Sequence, residues 1–510
     1  MNKYKKILLL LFISLLLLSS LFGCSNDDSS EETTAEIVDT EPDQYLDDLP
    51  NNLDFGGKEI TFVIGDYVTN SGREAFSARS IGLEDFTPGD VGASIVDEEV
   101  YYRNIEVEDR LNVLITPRAY TTNLSATVVG VELLSGGSEI DVICGYQCFD
   151  ITMLTEGLLL DYNHLSEQNA DYIDINKDYW GKEYIDAITY KDAMYWITGD
   201  LSLRYLGGMH CTYVNLELYE NALKDTYGDI YTLVKNKGWN LDVMNQMITQ
   251  AFQDVGTKED VADESDVLGF VTEYVEMDGM SVASGVSFVV KKEDGSLSVA
   301  LSDSTLNNNA FEFTNKMYEI LHENKGTLLR TVNIGKNIPL NMFASGNVLF
   351  VQSMVFNAEA FLSDMETYGI LPCPMLNADQ EEYRTALQDA CTLFGIYVGS
   401  DSVAASVATL EAMASQGYET VAPAYYDETL KYRYSRDPES AEMIDLMRDS
   451  VYVDFGYAWG RSFNNIHNFF RTAVQSPAKM STFRKDSSIW EGNLTSLIGK
   501  LEAQLNGISG

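Results

Sequence analysis

This sequence predicts an α/β fold in two lobes, on three observations. At 510 residues it is too long for one hydrophobic core. From Lys58 onward strand-like and helix-like segments alternate, the pattern of a parallel, doubly wound sheet. The mid-chain stretch Tyr190 to Leu218 then holds two strand-like runs, Met194 to Thr198 and Cys211 to Val214, with Gly199-Asp200 between them. Two adjacent strands of this kind would carry the backbone from one lobe into the other. An Asp200 beside a glycine at such a crossing is expected to face a cleft rather than a core.

The first lobe opens with Lys58 to Gly65, where Ile60, Phe62 and Ile64 alternate with polar or small neighbours, the period of a strand. Ala93 to Leu111 spaces Ile95, Val96, Val100 and Tyr101 for one buried helical face. Val113 to Thr116 reads as a short strand closed by Pro117, Leu124 to Leu134 as a helix stopped by Gly136-Gly137, and Ile140 to Cys144 as a third strand. Beyond the crossing, Asn240 to Phe252 and Leu306 to His322 read as helices, Val348 to Val351 and Phe394 to Val398 as strands, and Val403 to Ser415 as a helix. Asp437-Pro438-Glu439 suits a helix start, with a capping carboxylate, a proline in the first turn and an acid near the positive end; that helix runs to about Arg448.

Upstream of the folded part, three lysines precede the apolar run Ile7 to Leu18, which is shorter than the roughly 20 residues that span a bilayer. That pattern is an export signal over residues 1–23. Leu21, Gly23 and Cys24 resemble a bacterial lipobox, which implies a lipid on Cys24. Ser25 to Asp54 has no lysine or arginine and cannot bury enough apolar area to offset its ordering entropy, so residues 24–57 are expected to be an acidic tether. The net charge of −44 repels phosphate backbones and anionic headgroups, which argues against nucleic-acid binding.

Little in the chain points to catalysis. The four histidines make no HExxH and have no metal-ligand spacing, and there is no GxSxG elbow, phosphate-binding GxxxxGK[ST] loop or dinucleotide glycine fingerprint. Asp174 to Asp178 imitates the start of a calcium loop, but Tyr179 stands where glycine is needed and Ile185 where glutamate is. The expectation is therefore no metal, no cofactor and no enzyme activity, with paired carboxylates for glycoside hydrolysis left open as an alternative because their separation is spatial. Besides Cys24 there are five cysteines, an odd number, and buried free thiols are preferred to a disulfide framework.

Ligands of doubly wound sheets sit beyond the carboxyl ends of the strands, which selects Asp66, Tyr67, Tyr146 and Gln147. Aromatic faces beside hydroxyl-gripping acids suit the C–H face of a sugar. Trp180 follows Tyr179, and Trp459 lies among glycines in DFGYAWGRS, so both are candidates; Trp239 and Trp490 are assigned to cores.

Segments in order resemble the extracellular solute-binding lipoproteins of bacterial ABC importers, type 1 and mostly sugar-binding. They are the lipobox at Cys24, KEITFVIGDY, SGGSEIDVICGY, LTEGLLLDYNHL, KDAMYWITGD, TYVNLELYEN, FASGNVLFVQS and YGILPCPML. Leu216 stands where the family often has lysine. The resemblance implies a periplasmic-binding-protein-like fold of type II, with hinge strands joining the lobes around a cleft. Lobe one is then 58–190 plus 390–435, and lobe two 195–388 plus 436–510. It also implies solute sites at Asp66, Tyr67, Tyr146, Asp200, Ser353, Phe356 and Trp459, a permease partner, and a monomer anchored by Cys24 to the outer face of the bacterial cytoplasmic membrane. The solute expected from it is a sugar or oligosaccharide; a peptide or other solute is the alternative.

Overall fold

The structure is a computed structural model and describes residues 45–65, 82–87, 94–120, 124, 139–256, 262–330, 338–362, 364–365, 367–426, 439–466 and 468–508. Among the described residues eleven strands fall into three sheets: β1 Lys58–Gly65, β2 Val113–Tyr120, β3 Val142–Tyr146, β4 His210–Asn215, β5 Leu268–Glu273, β6 Val289–Lys291, β7 Leu297–Val299, β8 Thr327–Arg330, β9 Val348–Met354, β10 Tyr368–Pro372 and β11 Thr392–Ile396. The first sheet has the order β11-β3-β1-β2, the second β10-β4-β9-β5-β8, and β6-β7 is a separate hairpin.

β1 is the buried centre of the first sheet, with β2 and β3 parallel to it on either side. Its alternating Ile60, Phe62 and Ile64 are fully buried. β2 runs on through Pro117 to Tyr120, against the expectation that proline would close it. β2 is an edge strand, so the missing N–H costs no ladder bond on its open side. The helix Ile95–Leu111 starts on Ser94, whose Oγ accepts from the Asp97 N–H, and ends on Asn112 at φ 49°. Asn240 caps Leu241–Ala251 in the same way.

The sheets are present, but neither is purely parallel as expected: β11 runs antiparallel to β3, and β4 antiparallel to both β9 and β10. The reason is the crossing, which two segments of the described residues make side by side. Ile197 bridges Phe394, the His210 N–H donates to Ala386 O at 2.9 Å, and the Gln388 N–H donates to Gly208 O at 2.8 Å. The strand expected at Met194 to Thr198 is thus a single bridge, because its partner arrives almost two hundred residues later.

The carboxyl ends of β3, β5 and β9 all point at this double crossing, with the starts of β4 and β11 beside them. Gly199 is essential here. A Cβ on it would lie 2.3 Å from the Tyr179 carbonyl oxygen and 3.0 Å from Trp180 Cα. Gly199→Ala should destabilise the protein by about 2 kcal/mol or more, the usual cost of overpacking against backbone, read as a lower urea midpoint. An unchanged midpoint would show that the crossing has slack.

The acidic tether ends earlier than residue 57. Asp47 is buried and takes a two-pronged ion pair from Arg110, at 2.6 and 2.7 Å, and Leu49 joins the first lobe's core. The cysteines at 144, 148, 211, 373 and 391 are free, as expected. Cys24, Asp66, Tyr67, most of the helix expected at Leu124 to Leu134 and the Asp437-Pro438 cap lie outside the described residues; the helix that follows is Glu439–Asp449. No described helix is long and apolar enough to cross a membrane.

Candidate functional site between the lobes

A cleft of about 680 Å³ opens beside the crossing. Trp180, Lys182, Glu183 and Tyr418 line it from the side of the first sheet. Tyr205 and Arg448 line it from the side of the second, and Tyr426, whose hydroxyl donates to Leu206 O, lies between them. Its volume is in the range of pockets that hold drug-sized ligands.

Tyr205 is placed by a local device and Trp180 by a distant partner. Ser202 caps the short helix Leu203–Gly207 by accepting from the Arg204 and Tyr205 N–H groups, which turns Tyr205 outward. Gly181 leaves room for that ring, since a Cβ there would sit 2.7 Å from it. Trp180 bridges Gly199 and donates its indole N–H to Glu411 Oε2 at 3.0 Å, and Tyr179 donates its hydroxyl to the same carboxylate. Burial pushes Glu411 up to about 7 in spite of both donors.

At the floor, Arg448 donates to Asp200 at 2.9 Å, and its guanidinium lies 5.1 Å from the centre of the Tyr426 ring. Asp200 is 1% exposed and so does not itself face the cleft, contrary to the expectation. Burial raises its carboxyl to about 6, with Arg448 working the other way. Arg448 brings charge to this part of the wall, as Lys182 and Glu183 do on the other side.

The other expected residues are distributed as follows. Tyr146 and Gln147 lie on the seam where the carboxyl end of β3 meets the segment Phe455–Arg461. Gln147 is buried, donates to Ala458 O at 3.1 Å and accepts from the Tyr184 hydroxyl. Tyr146 stacks on Phe149 at 5.2 Å, and the Arg461 guanidinium covers the Phe149 ring at 3.6 Å. Ser353 accepts from Asn357 Nδ2 at 2.8 Å, and the Phe356 ring lies under Arg204 at 4.6 Å, both buried at the end of β9.

Trp459 corrects the expectation of an exposed loop. It is fully buried and stacked on Phe455 with an angle of 12° between the rings. Gly456 serves close packing instead, since a Cβ there would come within 3.0 Å of Phe288. Trp239 is in the core as expected, donating to Pro372 O at 2.9 Å, and Trp490 is partly buried against Phe469. The structure thus brings Trp180 and Asp200 together, sets Tyr146 and Gln147 at the adjoining seam, and sends Trp459 to the core. Arg448, Tyr205, Tyr418 and Tyr426 were not singled out from the sequence; Tyr205 lies inside the crossing stretch, the one hint available.

Among the described residues no group of three or more metal-binding side chains comes together.

Solved structures match the fold over nearly all of the chain. UgpB from Mycobacterium tuberculosis, in complex with glycerophosphocholine, is 11% identical, with 88% of this chain and 99% of that one covered and a TM-score of 0.52. UspC of M. tuberculosis is 12% identical, with 85% and 100% covered and a TM-score of 0.51. A cyclo/maltodextrin-binding protein complexed with maltotetraose is 13% identical, with 87% and 97% covered and a TM-score of 0.50. The fold is the two-lobed, periplasmic-binding-protein-like one. No protein-family model and no curated protein sequence matches the chain.

Proposed function

We propose that this chain is the extracellular solute-binding component of an ABC importer, which captures a sugar or oligosaccharide between its lobes and delivers it to a membrane permease. The observation that carries the reading is the cleft, walled from both sides of the crossing by tyrosines, a tryptophan and charged side chains. Flat rings take the C–H faces of sugars while charged and polar groups fix the hydroxyls. A site shared by two lobes is completed only when they come together, which suits capture by closure. The likeness in fold to a maltodextrin-binding protein supports the same class of solute.

The lobes of this reading are 58–190 with 390–435, and 195–388 with 436–510; each main sheet draws its strands from one of these sets. Cys24, lipidated after export, anchors the chain outside the cytoplasmic membrane. Solute is bound and released unchanged. Trp180, 4% exposed, lies at the edge of the cleft, so a change in intrinsic fluorescence is the readout of binding. Tyr205→Ala and Tyr426→Ala should each weaken the solute that binds best by about tenfold or more. Wild-type affinity in both variants would move the site away from this cleft.

A further inference from the structure

We infer that the hairpin β6–β7 is a latch between the lobes and that Lys291 is its catch, an inference that rests on the two-lobed closure read above. The hairpin pairs with neither main sheet. It reaches from lobe two to the last helix of lobe one before the crossing. The Lys291 ammonium donates to Asp186 O and, at 3.0 Å, to Thr189 O, at the carboxyl end of the helix Lys182–Ile188. The last carbonyls of a helix lack partners within it, and the negative end of the helix dipole favours a cation there. Lys291 is half-buried, and burial pulls its ammonium below the ordinary lysine range while Asp186 opposes the shift. The two carbonyls are what make that buried position tolerable for a charge.

Neighbouring contacts hold the hairpin on the same turn. A Cβ on Gly295 would stand 2.8 Å from Lys191 Cα, so a glycine lets the hairpin tip lie against the backbone of residues 190–193. The C-terminal helix Pro477–Ile508 ties both sides. Its Glu502 Oε1 accepts from the Leu297 N–H at 3.0 Å, and its Asn506 Oδ1 accepts from Lys191 Nζ at 2.6 Å. The helix in this grip also carries part of the cleft, because Lys182 and Glu183 at its other end line it together with Tyr205 and Arg448. Lys291 is therefore a positioning residue. It sets where that wall stands relative to lobe two.

The test is small-angle X-ray scattering of the full mature chain and its variants, with and without malto- and cello-oligosaccharides. Without solute, Lys291→Met should give a radius of gyration about 1 Å above the parent. Lys291→Arg, whose guanidinium serves the same two carbonyls, should match the parent. Asn506→Leu, a change at an exposed position that removes the neighbouring tie, should expand the chain in the same direction. Calorimetric titration should show the best-binding oligosaccharide weakened about fivefold by the methionine and restored by the arginine, because a competent arrangement populated less often binds with lower apparent affinity. A cooperative melt in each variant separates opening from unfolding. Lys291→Met and Asn506→Leu both as compact as the parent would overturn the latch and leave the sugar reading standing. An arginine variant as expanded as the methionine one would reduce Lys291 to packing and overturn it too. Expansion as expected with no response to any glycan would support the latch and remove the sugar reading instead.

Discussion

Thermal stability should rise, not fall, as pH is lowered from about 8 to about 5. Asp85, Asp200, Asp454 and Glu411 are each at most 2% exposed. Burial pushes the first three to about 6 and Glu411 to about 7. Hydrogen bonds and charges oppose that rise without cancelling it: the Leu203 N–H and Arg103 at Asp85, Arg448 at Asp200, the Ser287 hydroxyl and Tyr457 N–H at Asp454, and Tyr179 and Trp180 at Glu411.

The sign follows from linkage. A carboxyl whose folded value lies above its unfolded one binds its proton more tightly in the folded chain. Its stabilising contribution is complete below the ordinary carboxylate range and is lost as pH climbs through 6 to 7. Each tenfold difference in proton affinity is worth about 1.4 kcal/mol, so each group contributes about 3 kcal/mol and the four together on the order of 10. Repulsion within a chain of net charge −44 acts in the same direction. High salt screens that surface term and leaves the buried one, which separates the two. Melting temperatures in high salt that are flat or falling from pH 8 to 5 would contradict the assignment.

What could be read from the sequence was whatever local physics decides. β1 was legible because alternating apolar residues and a closing glycine leave one choice. β2 was cut short at Pro117 because a proline says nothing about whether its strand lies at an edge. The tether was drawn too long because Asp47 looks solvated until Arg110, on a helix that follows, folds beside it. The site suffered most from this limit. Asp200 and Trp180 were singled out from their neighbours in the chain, whereas Arg448 reaches Asp200 across 248 residues. Trp459 shows the same limit in reverse. Flanking glycines suggested an open loop, and Phe455 one helical turn earlier stacks the ring inside.

Arg448→Met should cost about 3 kcal/mol at neutral to basic pH and much less at about pH 5. Removing the guanidinium leaves Asp200, 1% exposed, without the ion pair that offsets its burial. The remedy open to that carboxyl is to take up a proton, so its proton affinity climbs above the present value of about 6. The penalty is then the cost of a buried charge at high pH and only that of a lost contact at low pH. Asp200→Asn in the Arg448→Met background removes the charge and should restore most of the loss at high pH. Urea unfolding of the two variants at both pH values decides it. If Arg448 acted chiefly by packing on Tyr426, from 5.1 Å away, the loss would be the same at either pH and Asp200→Asn would rescue nothing. A pH-dependent, rescuable loss would instead mean that the charge Arg448 presents to the cleft is held in place by a carboxylate beneath it. The solute would then meet a wall whose electrostatics are set by the crossing itself.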